Sequence, residues 1–426
     1  MNLPVICYAG MTHLGLVSAV ASAEKGFSVT CFDIDPERIE KLSKGVLPVV
    51  EPDLDTLFTK NSARLSFTSE VRDLAGCDVI YIAQDVPTDD TGASDLQPIA
   101  DLIGVVGSHM RPGSTLVILC QVPPGFTRGL PAVNGHMYYL VETLIFGRAV
   151  ERALYPERFI VGCADPKVAL PEPLSRYLGA FGCPILPMRF ESAELAKISI
   201  NCFLVSSVST SNTLAELCER IGADWSEIVP ALRLDKRIGA QAYLSPGLGI
   251  AGGNLERDLA TVCRLGDAEG TDVRVVRSWM LNNAHRRHWA LRTLHEHVLH
   301  AGPEPTLAIL GLAYKKDTNS IKNSPSLGLI EHLAPYPIRF HDPVVPSDAV
   351  AHPKSSPCAS AIEACKDVQA AVIMTPWDEY ARLDPTKIAE ALAGDIVIDP
   401  YGVLSTAKTS AAGLRHFVLG SQTSRG

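Results

Sequence analysis

Short, mostly apolar runs alternate along the first part of the chain with longer segments in which apolar residues recur every three to four positions. Leu3 to Ala9, Ser28 to Phe32, Val79 to Ala83, Thr115 to Leu119 and Ile160-Val161-Gly162 have the length and continuity of strands buried on both faces of a parallel sheet. An alanine-rich stretch ending at Lys25 and the segment Leu96 to Met110 read as helices between them. Asp85 to Asp95 reads as a polar loop, and Gln121-Val122-Pro123-Pro124-Gly125 breaks the chain. The alternation predicts a doubly wound α/β domain with Ile160-Val161-Gly162 as its last strand.

From about Glu191 the pattern turns helical and runs uninterrupted to about Arg220. Glu194, Lys197 and Asn201 fall on one face at spacings of three and four. Ile198, Phe203, Leu204 and Val205 make the rest apolar, which predicts an interior helix and an anionic partner for Lys197. The stretch Pro246 to Asp258 then places four glycines within eight positions. Glycine gives up the most backbone entropy, so such a run is a loop whose backbone approaches something closely. Helices follow from Leu255 to about His300, and Gly302-Pro303 with Pro305 marks a linker. A second alternation has strands at Thr306 to Leu310, Ile338 to Phe340, Ala370 to Met374 and, last, Ile396 to Ile398, with Ser324-Pro325 opening a helix. Ser421 to Gly426 reads as a polar tail.

Composition narrows the class. The 426 residues are 46% hydrophobic and 20% charged, as in a soluble globular protein with a sizeable core. A net charge of −9 argues against general nucleic-acid binding, and any anionic ligand must meet a local cluster of Lys and Arg. The 11 cysteines are scattered without a CxxC pair, which fits a reducing, cytoplasmic setting and gives no metal site. No basic n-region precedes Leu3, and no apolar run nears the ~20 residues of a membrane span.

The candidate chemistry starts at Gly10-Met11-Thr12-His13-Leu14-Gly15, between the first strand and the first helix, with Asp33 ending the next strand. This is the spacing of a dinucleotide site: the helix N-terminus for the pyrophosphate and the acid for the adenosine ribose, which favours NAD over NADP. Thr12 stands where the second glycine of GxGxxG is expected.

These pieces, taken in order with Leu47-Pro48, Glu51-Pro52, Pro156-Glu157-Arg158, Arg237-Ile238-Gly239, Gly311-Leu312-Ala313-Tyr314-Lys315 and Ser324-Pro325, give the chain its likeness to a family. It resembles the nucleotide-sugar dehydrogenases of the UDP-glucose 6-dehydrogenase and GDP-mannose 6-dehydrogenase type over nearly its whole length. The resemblance implies an α/β fold of two Rossmann-like doubly wound domains joined by a long central helical region. Its parts are an NAD-binding domain (1-188), a helical dimerisation region with the glycine-rich active-site loop (189-302) and a C-terminal nucleotide-binding α/β domain (303-426). It implies a homodimer that uses NAD to oxidise a nucleotide sugar.

Carried to matching positions, the resemblance makes Lys197, Asn201 and Asp258 the residues of proton transfer and oxyanion stabilisation, with Glu142 as a further acid. Gly10, Thr12, His13, Leu14, Gly15, Asp33 and Lys315 are the cofactor residues. Arg237, Tyr243, Gly249, Gly252, Lys315 and Lys322 meet the substrate, Arg237 reaching the neighbouring subunit.

The departures concentrate where the sugar reacts. The family's loop reads Gly-Gly-Ser-Cys, and here Gly252-Gly253-Asn254-Leu255 puts Asn254 in place of the thioester-forming Cys. An amide cannot supply that nucleophile, and nothing in the sequence suggests that Cys263 replaces it. Cys120-Gln121 stands for Ser-Thr, Leu140-Val141-Glu142-Thr143-Leu144 for Asn-Pro-Glu-Phe-Leu, and Phe146 for an acid; the stretch from Pro124 to Glu142 is short, as if a helix were lost. The leading reading is a single two-electron oxidation to an aldehyde or ketone. A redox-neutral, epimerase-like use of bound NAD and a non-catalytic nucleotide-sugar-binding protein are the alternatives. A generic hydroxyacid dehydrogenase leaves the C-terminal domain unexplained.

Overall fold

The computed structural model describes residues 3–87, 89, 94–300 and 304–421. The linker expected at Gly302-Pro303 and the tail at 422–426 lie outside them. The chain forms two compact units, Met1–Ile200 and Asn201–Gly426.

The first unit is built on eight strands: β1 (Ile6–Ala9), β2 (Val29–Phe32), β3 (Leu65–Thr68), β4 (Val79–Ile82), β5 (Thr115–Ile118), β6 (His136–Leu140), β7 (Phe159–Cys163) and β8 (Ile185–Arg189). Their order across the sheet is β3-β2-β1-β4-β5-β6-β7-β8. All neighbours pair parallel except β6 and β7. Alternation along β1 sends Ile6 and Tyr8 into one apolar layer and Cys7 and Ala9 into the other, all four buried. That burial on both faces is why β1, β4 and β5 read as unbroken apolar runs. The last strand of this unit is β8, not the expected Ile160-Val161-Gly162, which lies within β7. An edge strand spelled ILPMR, with Pro187 and exposed positions, carries no such run. The order reverses at β1, between β2 and β4, and in open α/β sheets ligands bind past the carboxyl ends of strands at that point. The β5–β6 crossover carries only the single turn Phe126–Gly129.

The central helix, Phe190–Ile221, is continuous for 32 residues. It is not the interior helix its composition suggests. Phe203 is 77% exposed, and Leu214, Leu217 and Ile221 on the same stripe are also exposed.

The second unit adds helices Asn254–Glu269, Arg274–Arg287 and Trp289–His297 to a six-stranded parallel sheet. Its strands are β9 (Leu307–Leu310), β10 (Ile338–His341), β11 (Ser355–Pro357), β12 (Ala370–Ile373), β13 (Ile396–Ile398) and β14 (Arg415–Phe417), in the order β11-β10-β9-β12-β13-β14. The expected final strand, β13, is followed by the edge strand β14, whose sequence RHF offers no apolar run.

An ionic cluster around the buried Arg286 ties the central helix to the helix Arg274–Arg287. Arg286 is fully buried and donates to Glu216 at 2.9 Å, His285 meets the same carboxylate at 2.9 Å, and Glu219 accepts from Trp289 and from the Gly420 backbone. Burial pushes the Glu216 pKa up, but His285 and Arg286 outweigh it and the net direction is down. A depressed carboxylate stabilises the fold above its unfolded pKa, near 4.5, and loses that contribution as pH falls through the folded value. Glu216→Gln, which leaves Arg286 buried beside a neutral amide, is therefore expected to cost about 3 kcal/mol at pH 5. Thermal unfolding of both proteins checks this: the gap in Tm narrows as pH falls below 5 toward the depressed folded pKa, and a gap that stays constant contradicts the assignment.

Candidate functional site

In the first unit, Gly10 ends β1 at φ +97°, and a Cβ there would lie 2.8 Å from Gln84. A Cβ on Gly15 would lie 1.9 Å from the Gly10 carbonyl oxygen, so the helix α1 (His13–Glu24) sits tight on the turn. Thr12 is the N-cap, but its hydroxyl does not cap α1; it accepts from Asp85 N–H at 3.0 Å and donates to the Ala83 carbonyl at 3.4 Å. Asp33, 2% exposed, accepts from Met11 N–H at 2.7 Å and from Arg38 at 2.8 Å.

The His13 ring is engaged by other parts of the chain. Its Nε2 meets Glu51 at 2.9 Å, and its ring lies 4.3 Å from that of Phe146. Glu51 also accepts from Gly147 N–H at 3.0 Å and Ala149 N–H at 3.2 Å. Phe146 is thus a packing partner for His13. Leu14 is buried in the core, so it contributes backbone and not side chain to the turn.

Lys197 finds its anion in Glu142: Nζ to Oε2 is 3.7 Å, with both side chains mostly buried. Glu142 also accepts from Leu144 N–H. One turn before Lys197, the fully buried Glu194 accepts from Gly125 N–H at 2.6 Å and Thr127 N–H at 2.9 Å, pinning the Val122-Pro123-Pro124-Gly125 break. Burial raises the Glu194 pKa, with the Thr127 and Gly125 donors opposing it.

In the second unit, Asn201 Nδ2 donates to Asp258 at 2.5 Å, and Arg257 Nε lies 3.4 Å from the other Asp258 oxygen. All three are buried. The glycine loop is tethered along its length. Asn212 accepts from Gly247 N–H, Asn283 from Ile250 N–H, and the Lys322 carbonyl from Gly252 N–H. Arg287 donates to the Ile250 carbonyl and to Glu256. Gly249 and Gly252 have positive φ, and a Cβ would strike Asn283 at the first and Tyr314 at the second. Any larger residue would push the loop off these supports. Asn254 opens the helix Asn254–Glu269 and is exposed.

Arg237 is exposed and paired with Asp235 at 2.6 Å, and Tyr243 is half exposed. The Lys315 ammonium lies 5.7 Å from the Tyr314 ring. Lys322 contributes its carbonyl to the loop, and Gly253 faces its aliphatic stem. Two thiols lie in this unit near the pair. Burial pushes Cys202 up to about 11, helped by the Asp258 charge, and burial also raises Cys263, which contacts Met280.

Three family models tile the chain: the NAD-binding domain of the UDP-glucose/GDP-mannose dehydrogenase family at residues 4–176, its central domain at 191–285 and its UDP-binding domain at 308–406. The UDP-glucose 6-dehydrogenase of Rickettsia typhi is 30% identical over 432 residues, covering 98% of this chain and 99% of that one. The chain belongs to the UDP-glucose/GDP-mannose dehydrogenase family. The UDP-glucose 6-dehydrogenase of Bacillus subtilis is 29% identical over 438 residues, covering 99% and 94%. The structure of a UDP-glucose dehydrogenase from the hyperthermophilic archaeon Pyrobaculum islandicum matches with TM-score 0.87 at 26% identity, covering 99% and 98%.

The family is one of NAD-dependent oxidoreductases acting on the CH–OH of nucleotide sugars, and the first unit suits that cofactor. The buried carboxylate of Asp33 at the end of β2 and the glycine turn before α1 are what an adenosine ribose and a diphosphate require. Arg38, Glu51, Asp85, Arg257, Glu256 and Asn283 are structural parts of these clusters that sequence reasoning gave no role.

Proposed function

We propose that this protein oxidises one carbinol of a nucleotide-linked sugar by a single hydride transfer and releases an aldehyde or ketone. The observation that carries the reading is the contrast around the glycine loop. Asn201 and Asp258 hold each other in a buried pair, while the residue opening the next helix is Asn254 and burial raises the pKa of the nearby Cys202 and Cys263 thiols. Alcohol oxidation needs an acceptor for the hydroxyl proton and a cation for the developing alkoxide; acid formation needs in addition a covalent nucleophile.

When bound, NAD accepts the hydride. Asp258 takes the hydroxyl proton, directly or through a water, and Asn201 holds that carboxylate in place. Lys197, one turn earlier on the same helix, stabilises the alkoxide, and Glu142 keeps its ammonium oriented. Asn254 binds and orients the substrate without bonding to it covalently. Lys315 and Lys322 supply positive charge for the nucleotide diphosphate; the match to the family's UDP-binding domain supports a nucleotide there. The test is to incubate the protein with NAD and a panel of UDP- and GDP-hexoses and to trap carbonyl products with a hydroxylamine. A trapped nucleotide-linked oxime supports the reading; a free nucleotide-sugar carboxylate overturns it.

The homodimer is part of the proposal, with the region 189-302 as its interface. Phe203, Leu214, Leu217 and Ile221 form an exposed apolar stripe along the central helix, a face that a second copy would cover. The exposed Arg237 would exchange its Asp235 contact for the substrate held by the other copy. Mass measurement in solution is expected to give a dimer for the wild type and a monomer for Phe203→Asp combined with Leu217→Asp. A monomeric wild type removes the assignment.

A further inference from the structure

The start of α1 is occupied by a group from the chain itself. Asp85, just beyond β4, is fixed by its own N–H on Thr12 Oγ1 at 3.0 Å, and its Oδ2 accepts from His13 N–H at 3.2 Å. His13 is the first residue of α1, and that N–H is one of the donors a helix start leaves unpaired for an anion. Thr12, in turn, fills the fingerprint position where glycine lets a diphosphate come close. The same small volume therefore holds a hydroxyl side chain and a carboxylate where the family's cofactor brings two phosphates.

We infer that Asp85 is a built-in competitor for the NAD diphosphate. The carboxylate holds the helix-start donor in the free protein, and the dinucleotide binds only when the Asp85 side chain leaves it. Like charges repel at this range, so a retained carboxylate and a bound diphosphate exclude each other. Asp85 thus sets cofactor affinity. A seat contested by the chain's own carboxylate suits NAD that exchanges at each turnover, and it disfavours a cofactor held permanently for redox-neutral chemistry. The inference concerns the NAD site alone and stands or falls independently of how many electrons each substrate loses.

Calorimetric titration of the full-length wild type, Asp85→Asn and Asp85→Ala with NAD, ADP-ribose and adenosine tests it, with the unliganded Tm of each as the folding control. Both variants are expected to bind NAD and ADP-ribose tenfold or more tighter than wild type, a change of about 1.4 kcal/mol. Adenosine, which has no phosphate, is expected to bind all three alike. Unchanged or weaker NAD binding in both folded variants overturns the inference. So does an equal gain for adenosine, since a loosened site and not a removed charge would then explain the effect, and so does absence of NAD binding in all three proteins.

Discussion

Replacing Asp258 with Asn is expected to lower kcat by two to four orders of magnitude, the range for loss of a positioned proton acceptor. The side chain keeps its volume, and an amide oxygen can still accept from Asn201, so the buried pair survives in shape. What disappears is the ability to take a proton. Arg257 then lies beside a neutral amide, which costs some stability but leaves the helix Asn254–Glu269 in place. Initial rates of NADH formation, with thermal unfolding as control, decide the matter. A folded variant within threefold of wild-type kcat shows that Asp258 is only a tether for Asn201.

Lys197→Met has the second-largest expected effect, a loss of about 10²–10³ in kcat, as for removal of one group that stabilises an oxyanion. Methionine keeps most of the apolar stem and removes the ammonium. Glu142 loses a partner at 3.7 Å, but its other oxygen still accepts from Leu144 N–H and its side chain is not sealed from water, so folding should change little. The loss is expected in kcat more than in KM, since the alkoxide charge develops only in the transition state. Lys197→Arg keeps a cation at a displaced position and should recover part of the rate. A loss confined to KM would instead make Lys197 a ground-state binding group.

Much of the architecture was legible because the physics behind it is local. Strands β1, β4, β5, β9 and β12 are buried on both faces, and apart from Thr115 at the start of β5 they are unbroken apolar runs. Strands β3, β8, β11 and β14 escaped because edge positions and three- to five-residue lengths admit polar residues and proline. Lys197's need for an anion could be read from its apolar neighbours, and Glu142 stood among the candidates. Their pairing could not be read, because it joins positions far apart in sequence on different elements. Likewise the Gly10 to Gly15 turn was visible as a motif. The Glu51 knot that carries His13 and Gly147 depends on tertiary approach alone. Phe203 misled for a related reason: an apolar residue on a helix announces that something should cover it, without saying whether that is the chain's own core or another copy.

The central claim is that one substrate molecule gives up two electrons and no more. The most direct measurement follows NADH by absorbance to completion with limiting nucleotide sugar and excess NAD, then identifies the product by mass. The account predicts one NADH per substrate and a product lighter by two hydrogens. Two NADH per substrate, with a product carrying a carboxylate, would contradict it.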